Sequence, residues 1–148
     1  MMLLDDLDKM QRLVRAVREP VLRGHGLNAA RYAALRALAD HPDATGGELA
    51  QVNGVRHQTL RQTLQGLERA GLVELAPPVG PGLARRGQLT RRGTVLVERC
   101  RGALVEIEHR ALARFSAEQV DLFQQFLEEC TRQLRRMRRP PRGRPHVG

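Results

Sequence analysis

Apolar residues recur at helical intervals over most of this chain, and the interruptions mark where each helix stops. From Leu3 to Val21 they fall at Leu3, Leu7, Met10, Val14, Val17 and Val21. That is heptad spacing with charges on the other faces, so the first predicted element is an amphipathic helix. Pro20 and Gly24-His25-Gly26 bend and end it. Asn28 then caps a second helix to about Asp40, with Tyr32, Leu35 and Leu38 inward, and His41-Pro42-Asp43 breaks it. Thr45-Gly46-Gly47-Glu48 is a capping box: the Thr hydroxyl accepts from the Glu48 backbone, and Glu48 reaches back. Leu49, Ala50 and Val52 give this short helix its apolar side. Asn53-Gly54 supplies a turn, since both residues tolerate positive φ. The next helix, about Arg56 to Ala70, buries Leu60, Leu64 and Leu67 and turns Arg56, His57, Gln58, Arg61, Gln62 and Gln65 outward, with Gly71 as its C-cap.

The periodicity then changes. Leu72 to Leu75 and about Ala84 to Leu89 are short strands, and Pro77-Pro78-Val79-Gly80-Pro81-Gly82 between them makes an exposed arm, because that stretch cannot be helical. A long helix runs from Thr90 to about Arg114 with Leu96, Cys100, Ala103, Leu104, Ile107 and Ala111 aligned. Ser116-Ala117-Glu118-Gln119 is a second capping box, opening a last helix that aligns Val120, Phe123, Phe126, Leu127, Cys130, Leu134 and Met137. Residues 139–148 read as a disordered basic tail, rich in Arg, Pro and Gly. The predicted fold is mainly α with a small β wing. It is one domain over residues 1–138, with a winged helix-turn-helix at 28–89 and long N- and C-terminal dimerisation helices at 1–26 and 90–138.

Composition narrows the partner. A formal net charge of +9 favours a polyanion, nucleic acid before an anionic membrane surface. All but one of the 25 basic residues are arginine, Lys9 being the exception. Guanidinium forks suit phosphate and guanine. Aromatics make up 3% of the chain, too few for single-strand binding by base stacking. No apolar run approaches the ~20 residues of a membrane span. Met1-Met2-Leu3-Leu4 leads into Asp5-Asp6 and lacks the basic start of a signal peptide, so a cytoplasmic location is expected. Cys100 and Cys130 make neither a disulfide framework nor a four-ligand zinc site, and both lie on apolar stripes, as small hydrophobes do. The histidines are scattered without a pair at metal-binding spacing, and no nucleophile, base and acid stand at recognisable intervals. Neither a metal, a cofactor nor an enzymatic activity is expected.

The helix pair carries the functional reading. In a helix-turn-helix the first helix lies across the phosphate backbone and sets the second into the major groove. Gln58 and Gln62 share a face, as do His57 and Arg61, so this helix offers a hydrogen-bonding stripe opposite its apolar one. Arginine prefers guanine and glutamine pairs with adenine, each good pair discriminating by about 1–3 kcal/mol. Arg85 and Arg86 at the base of the arm suit a minor groove or a phosphate, and Thr45 with the amides at its helix start suits a phosphate. The expected DNA-binding set is Thr45, Arg56, His57, Gln58, Arg61, Gln62, Arg85 and Arg86. The rival reading is a winged-helix module that binds a protein, or bends DNA without reading it.

Thr45-Gly46-Gly47-Glu48-Leu49-Ala50, then Gly54-Val55 through Leu67-Glu68-Arg69-Ala70-Gly71-Leu72-Val73, then Leu89-Thr90-Arg91-Arg92-Gly93 resembles the MarR family of bacterial transcription regulators. The resemblance covers about residues 27 to 95 by motif and the rest by helix order. It implies a homodimer whose first and last helices intertwine, a pseudo-palindromic double-stranded operator, and a repressor released by a small-molecule effector. It also implies DNA contacts at Arg56, His57, Gln58, Arg61, Gln62 and the wing arginines. An organic effector would lie between the winged body and the dimer helices, near Tyr32; the sequence does not choose that ligand. The chain departs from the family at the wing, where an Asp, one residue, then Arg is usual. Here Gly80 to Gly87 contains no acid, and Arg85 or Arg86 takes the arginine's place.

Overall fold

A computed structural model of the chain describes residues 2–77 and 86–138. Its elements run α1 (Leu3–Gly24), α2 (Ala29–Asp40), α3 (Gly46–Asn53), α4 (His57–Arg69), β1 (Val73–Leu75), β2 (Gly87–Leu89), α5 (Arg91–Leu112) and α6 (Ala117–Arg138). They divide into two compact units, the first through Ile107 and the second from Glu108 onward. The arm tip (residues 78–85, with Arg85) and the tail after Arg138 lie outside the described residues.

The first unit is built on capped helices. Asn28 Oδ1 accepts the Arg31 N–H at 2.8 Å and opens α2. Thr45 Oγ1 accepts the Glu48 N–H at 3.2 Å and opens α3. The reciprocal half of that box differs from expectation: the Glu48 carboxylate meets the Thr45 hydroxyl at 3.2 Å. Pro20 lies inside α1, which continues to Gly24. The core gathers Leu35 from α2, Leu49 from α3, Leu67 from α4, Val73 from β1, and Val97 and Cys100 from α5, all fully buried. Each such side chain contributes about 1.5–3 kcal/mol of burial, which is what sets the helices against one another.

Two inward assignments need correction. Val52 is exposed. Gly46, Leu49 and Ala50 are the buried residues of α3, and Val52 stands about a third of a turn off their line. On α5 the buried line is Gly93, Val97, Cys100 and Leu104, with Leu96 and Ile107 only flanking it. Sequence periodicity missed Gly93 and Val97. An ion-pair cluster also ties α2 to α5: Arg101 bonds Asp40, and Arg36 Nε approaches the other Asp40 oxygen at 3.5 Å.

The heptad residues of α1 have little cover in the chain. Met10, Val14 and Val17 are exposed, and Leu22 is the buried residue of the helix. In the second unit the predicted capping box holds in both directions. Ser116 Oγ accepts the Gln119 N–H at 3.2 Å, and Gln119 Oε1 accepts the Ser116 N–H at 2.9 Å. Helix α6 has no buried residue, and Phe126 and Met137 are 59% and 77% exposed.

Candidate DNA interface

The turn between α3 and α4 is made by a backbone that a side chain would resist. Gly54 sits at φ +65°, the left-handed region that glycine enters most readily. Asn53 stays helical, so the turn needs one such residue. The Val55 N–H then bonds Ala50 O at 3.0 Å, closing the corner. Arg56 occupies the N-cap of α4 without a side-chain capping bond. Its guanidinium is therefore not committed to the helix end.

Helix α4 has two well-separated sides. Leu60, Leu64, Gly66 and Leu67 are buried. His57, Gln58, Thr59, Arg61, Gln62, Gln65 and Arg69 are exposed. Gln58, Gln62, Gln65 and Arg69 recur at steps of four, three and four, which places them along one line of a 3.6-residue helix. His57 and Arg61 flank that line on one side and Thr59 on the other. The sequence reading left out Thr59 and Arg69, although the same projection reaches both. The far end of α4 is locked by a complete Schellman motif. Gly71 at φ +75° lets its N–H bond Glu68 O at 2.9 Å and lets the Leu72 N–H bond Leu67 O at 3.0 Å.

The wing begins where that motif ends. Strands β1 and β2 pair antiparallel, Val73 opposite Leu89, Glu74 opposite Gln88 and Leu75 opposite Gly87. One further rung, the Ala76 N–H to Arg86 O at 2.7 Å, carries the ladder toward the arm. Glu68 on α4 accepts the Leu75 N–H at 3.3 Å and holds the ladder to the helix. Arg86 is exposed at this base.

Thr90 closes the structure. Its hydroxyl donates to Gly71 O at 2.7 Å and accepts the Gly93 N–H at 3.1 Å, and its own N–H bonds Leu72 O at 3.0 Å. One residue thus caps α5 and pins it to the end of α4. The approach is so close that a Cβ on Gly93 would stand 2.1 Å from the Leu72 carbonyl oxygen.

Away from this surface, Tyr32 is buried and the Arg18 guanidinium carbon from α1 stands 5.4 Å from its ring centroid. Cys100 is fully buried, and burial raises its thiol pKa while the charge of Arg18 partly opposes the shift. Arg101, next to Cys100 in sequence, is paired with Asp40, and Arg132, two residues from Cys130, with Glu129. Among the described residues no group of three His, Cys, Asp or Glu side chains comes together. No helix there is long and apolar enough to cross a membrane.

A family model described as the MarR family matches residues 25–82, from the end of α1 into the arm. The HTH-type transcriptional repressor Rv2887 of Mycobacterium tuberculosis is 33% identical over 104 residues, 70% of this chain and 75% of its own length. Two crystal structures of that protein superpose with a TM-score of 0.64. One, in complex with salicylic acid, is 30% identical and covers 84% of this chain and 92% of its own. The other, in complex with DNA, is 29% identical and covers 84% and 93%. The matched stretch includes the capped α3, the outward-facing α4 and β1, and with 33% identity to a repressor covered over 75% of its length the chain belongs to the MarR family.

Proposed function

We propose that this chain is a sequence-specific double-stranded DNA-binding transcription regulator, a homodimeric repressor that leaves its operator when a small-molecule effector binds. The observation that carries the proposal is the exposed line of Gln58 and Gln62, with Arg61 beside it, on a helix whose opposite side is packed and whose far end is locked by the Gly71 motif. Those side chains meet base edges in the major groove. Arg56 and His57 stand at the entering end, and Thr45 at the start of α3 meets the backbone. Arg85 and Arg86 serve the wing.

The dimer reading is supported by exposed apolar side chains on α1 and α6. A second copy covers them at a gain of about 1.5–3 kcal/mol for each large residue buried. Twofold symmetry then sets two α4 helices about one DNA turn apart, roughly 34 Å, and calls for a pseudo-palindromic site. For the effector, the Arg18 guanidinium over the buried Tyr32 ring supplies a cation where α1 meets α2, and the relative's complex with salicylic acid supports an aromatic acid. The protein acts in the cytoplasm by occupying DNA and carries out no chemical step.

The test is competition at about 150 mM salt between a duplex selected by the protein from a random library and a shuffled duplex of equal length. A preference above about 10³ is expected, and a ratio near one refutes base reading. Arg61→Ala should relax the sequence preference by about 1–3 kcal/mol at the base it contacts.

A further inference from the structure

Beside the reading line, two guanidiniums converge with no acid between them. A Cβ built on Gly66 would meet Arg31 Nη2 at 3.4 Å and Arg69 Nη2 at 4.0 Å. Two positive tips therefore lie within 4.0 Å of one point on the surface of α4. Neither arginine has an acidic partner among the described residues. Gly66 is buried inside a helix, where glycine is a poor choice by propensity, and the Arg31 guanidinium lies at van der Waals distance from where its Cβ would be. Arg31 itself is held by the backbone, since its N–H is bonded by the Asn28 side chain at the start of α2. Like charges brought this close repel each other until an anion bridges them. Planar forks of this kind fit the oxygens of a phosphate.

Position on the helix identifies which phosphate. Gly66 is eight residues beyond Gln58, about 12 Å along the axis. The major groove is itself about 12 Å wide. A helix that enters the groove by its N-terminal residues therefore carries Gly66 and Arg69 to the opposite rim, where a phosphate strand runs.

We propose that Arg31 and Arg69 form a clamp for one DNA backbone phosphate in each half-site, seated over Gly66, which fixes how far α4 lies along the groove. The clamp rests on the DNA-binding reading above. It adds a contact that α2 and α4 make together and that carries no sequence information.

The experiment uses the full-length protein and the duplex it selects from a random library, with single phosphates replaced one at a time by neutral methylphosphonate. For the unaltered protein, one replacement per half-site at the groove's rim should cost on the order of tenfold in affinity. The Arg31→Gln, Arg69→Gln protein should bind unmodified DNA more weakly and keep the same preferred sequence. Its salt dependence should flatten by about 0.9 for each phosphate it no longer neutralises, and it should be indifferent to that one methylphosphonate. Arg31→Lys with Arg69→Lys keeps the charge but loses the forks, and should remain several-fold weaker than the unaltered protein.

The clamp is refuted if no methylphosphonate position becomes silent in the glutamine variant, if that variant changes the preferred sequence, or if the lysine variant binds like the parent. Failure of the base-reading proposal shows separately, as loss of preference for selected over shuffled DNA in the unaltered protein. In that event the clamp is still judged by salt slope: it fails if the glutamine variant leaves the slope unchanged.

Discussion

Gly93→Ala and Gly102→Ala are the same chemical change on the same helix, and the structure assigns them opposite signs. On an open helix surface the change gains up to about 1 kcal/mol, because alanine is the better helix former. Gly102 has nothing within 4 Å of an added Cβ, so it should show that gain. At Gly93 the added carbon would stand 2.1 Å from Leu72 O and 3.1 Å from Leu72 C. Backbone must yield, and it is held on three sides. Leu72 O accepts the Thr90 N–H, the Leu72 N–H is bonded to Leu67 O, and Gly71 O accepts the Thr90 hydroxyl. Overpacking of this kind costs about 1–3 kcal/mol. Breaking one or two of those bonds adds about 1 kcal/mol each. After the propensity gain is subtracted, Gly93→Ala should lose about 1–4 kcal/mol. Urea unfolding followed by circular dichroism, at one fixed protomer concentration, should show the midpoint of Gly93→Ala falling by on the order of 1 M and that of Gly102→Ala rising slightly. A Gly93→Ala midpoint at or above the parent's would mean that the joint between α4 and α5 is not packed as described.

Thr90→Val keeps the side-chain shape but removes the hydroxyl that caps α5 and bonds Gly71 O. It should cost about 1–2 kcal/mol in the same assay, while Thr90→Ser should recover most of the loss. Burial alone would raise the Asp40 carboxyl, but the hydrogen bond and charge of Arg101, with Arg36 beside it, outweigh burial and hold it below its usual value. Asp40 therefore contributes stability above its usual pKa and loses it as pH falls through the lowered one. The stability gap between the parent and Asp40→Asn should be constant at neutral pH and close in acid, and should stay below about 1 kcal/mol because the pair is partly exposed. Cys100 is buried with a raised pKa, so a Cys130→Ser protein should show no thiol reactive toward a disulfide reagent until it is unfolded; rapid labelling of the native form would contradict the packing of α5.

What the sequence revealed was chiefly local. Caps at Asn28, Thr45 and Ser116 were legible because each side chain meets a backbone only three residues away. The outward line of α4 was legible for the same reason, since a helix repeats within the window being read. What escaped involves elements meeting at a distance. The inward line of α5 passes through Val97 because of where the body lies, and the apolar pattern was equally satisfied by Leu96. Gly93 gives no local sign that a carbonyl of residue 72 presses on it. Arg31 comes near Gly66 beside Arg69 only because α2 lies against α4. Val52 misled because two turns of helix are too short to fix which apolar residue faces inward.

Because the Gly71–Thr90–Gly93 joint leaves no slack, α4 and the part of α5 up to Ile107 behave as a crank and its shaft. Thr90 and Gly93 bond or abut residues 71 and 72 directly, so a displacement at the start of α5 bears on the end of α4 without passing along the arm. Any contact that shifts the start of α5 would therefore be expected to move the reading helix as well, although it touches neither the helix nor its partner.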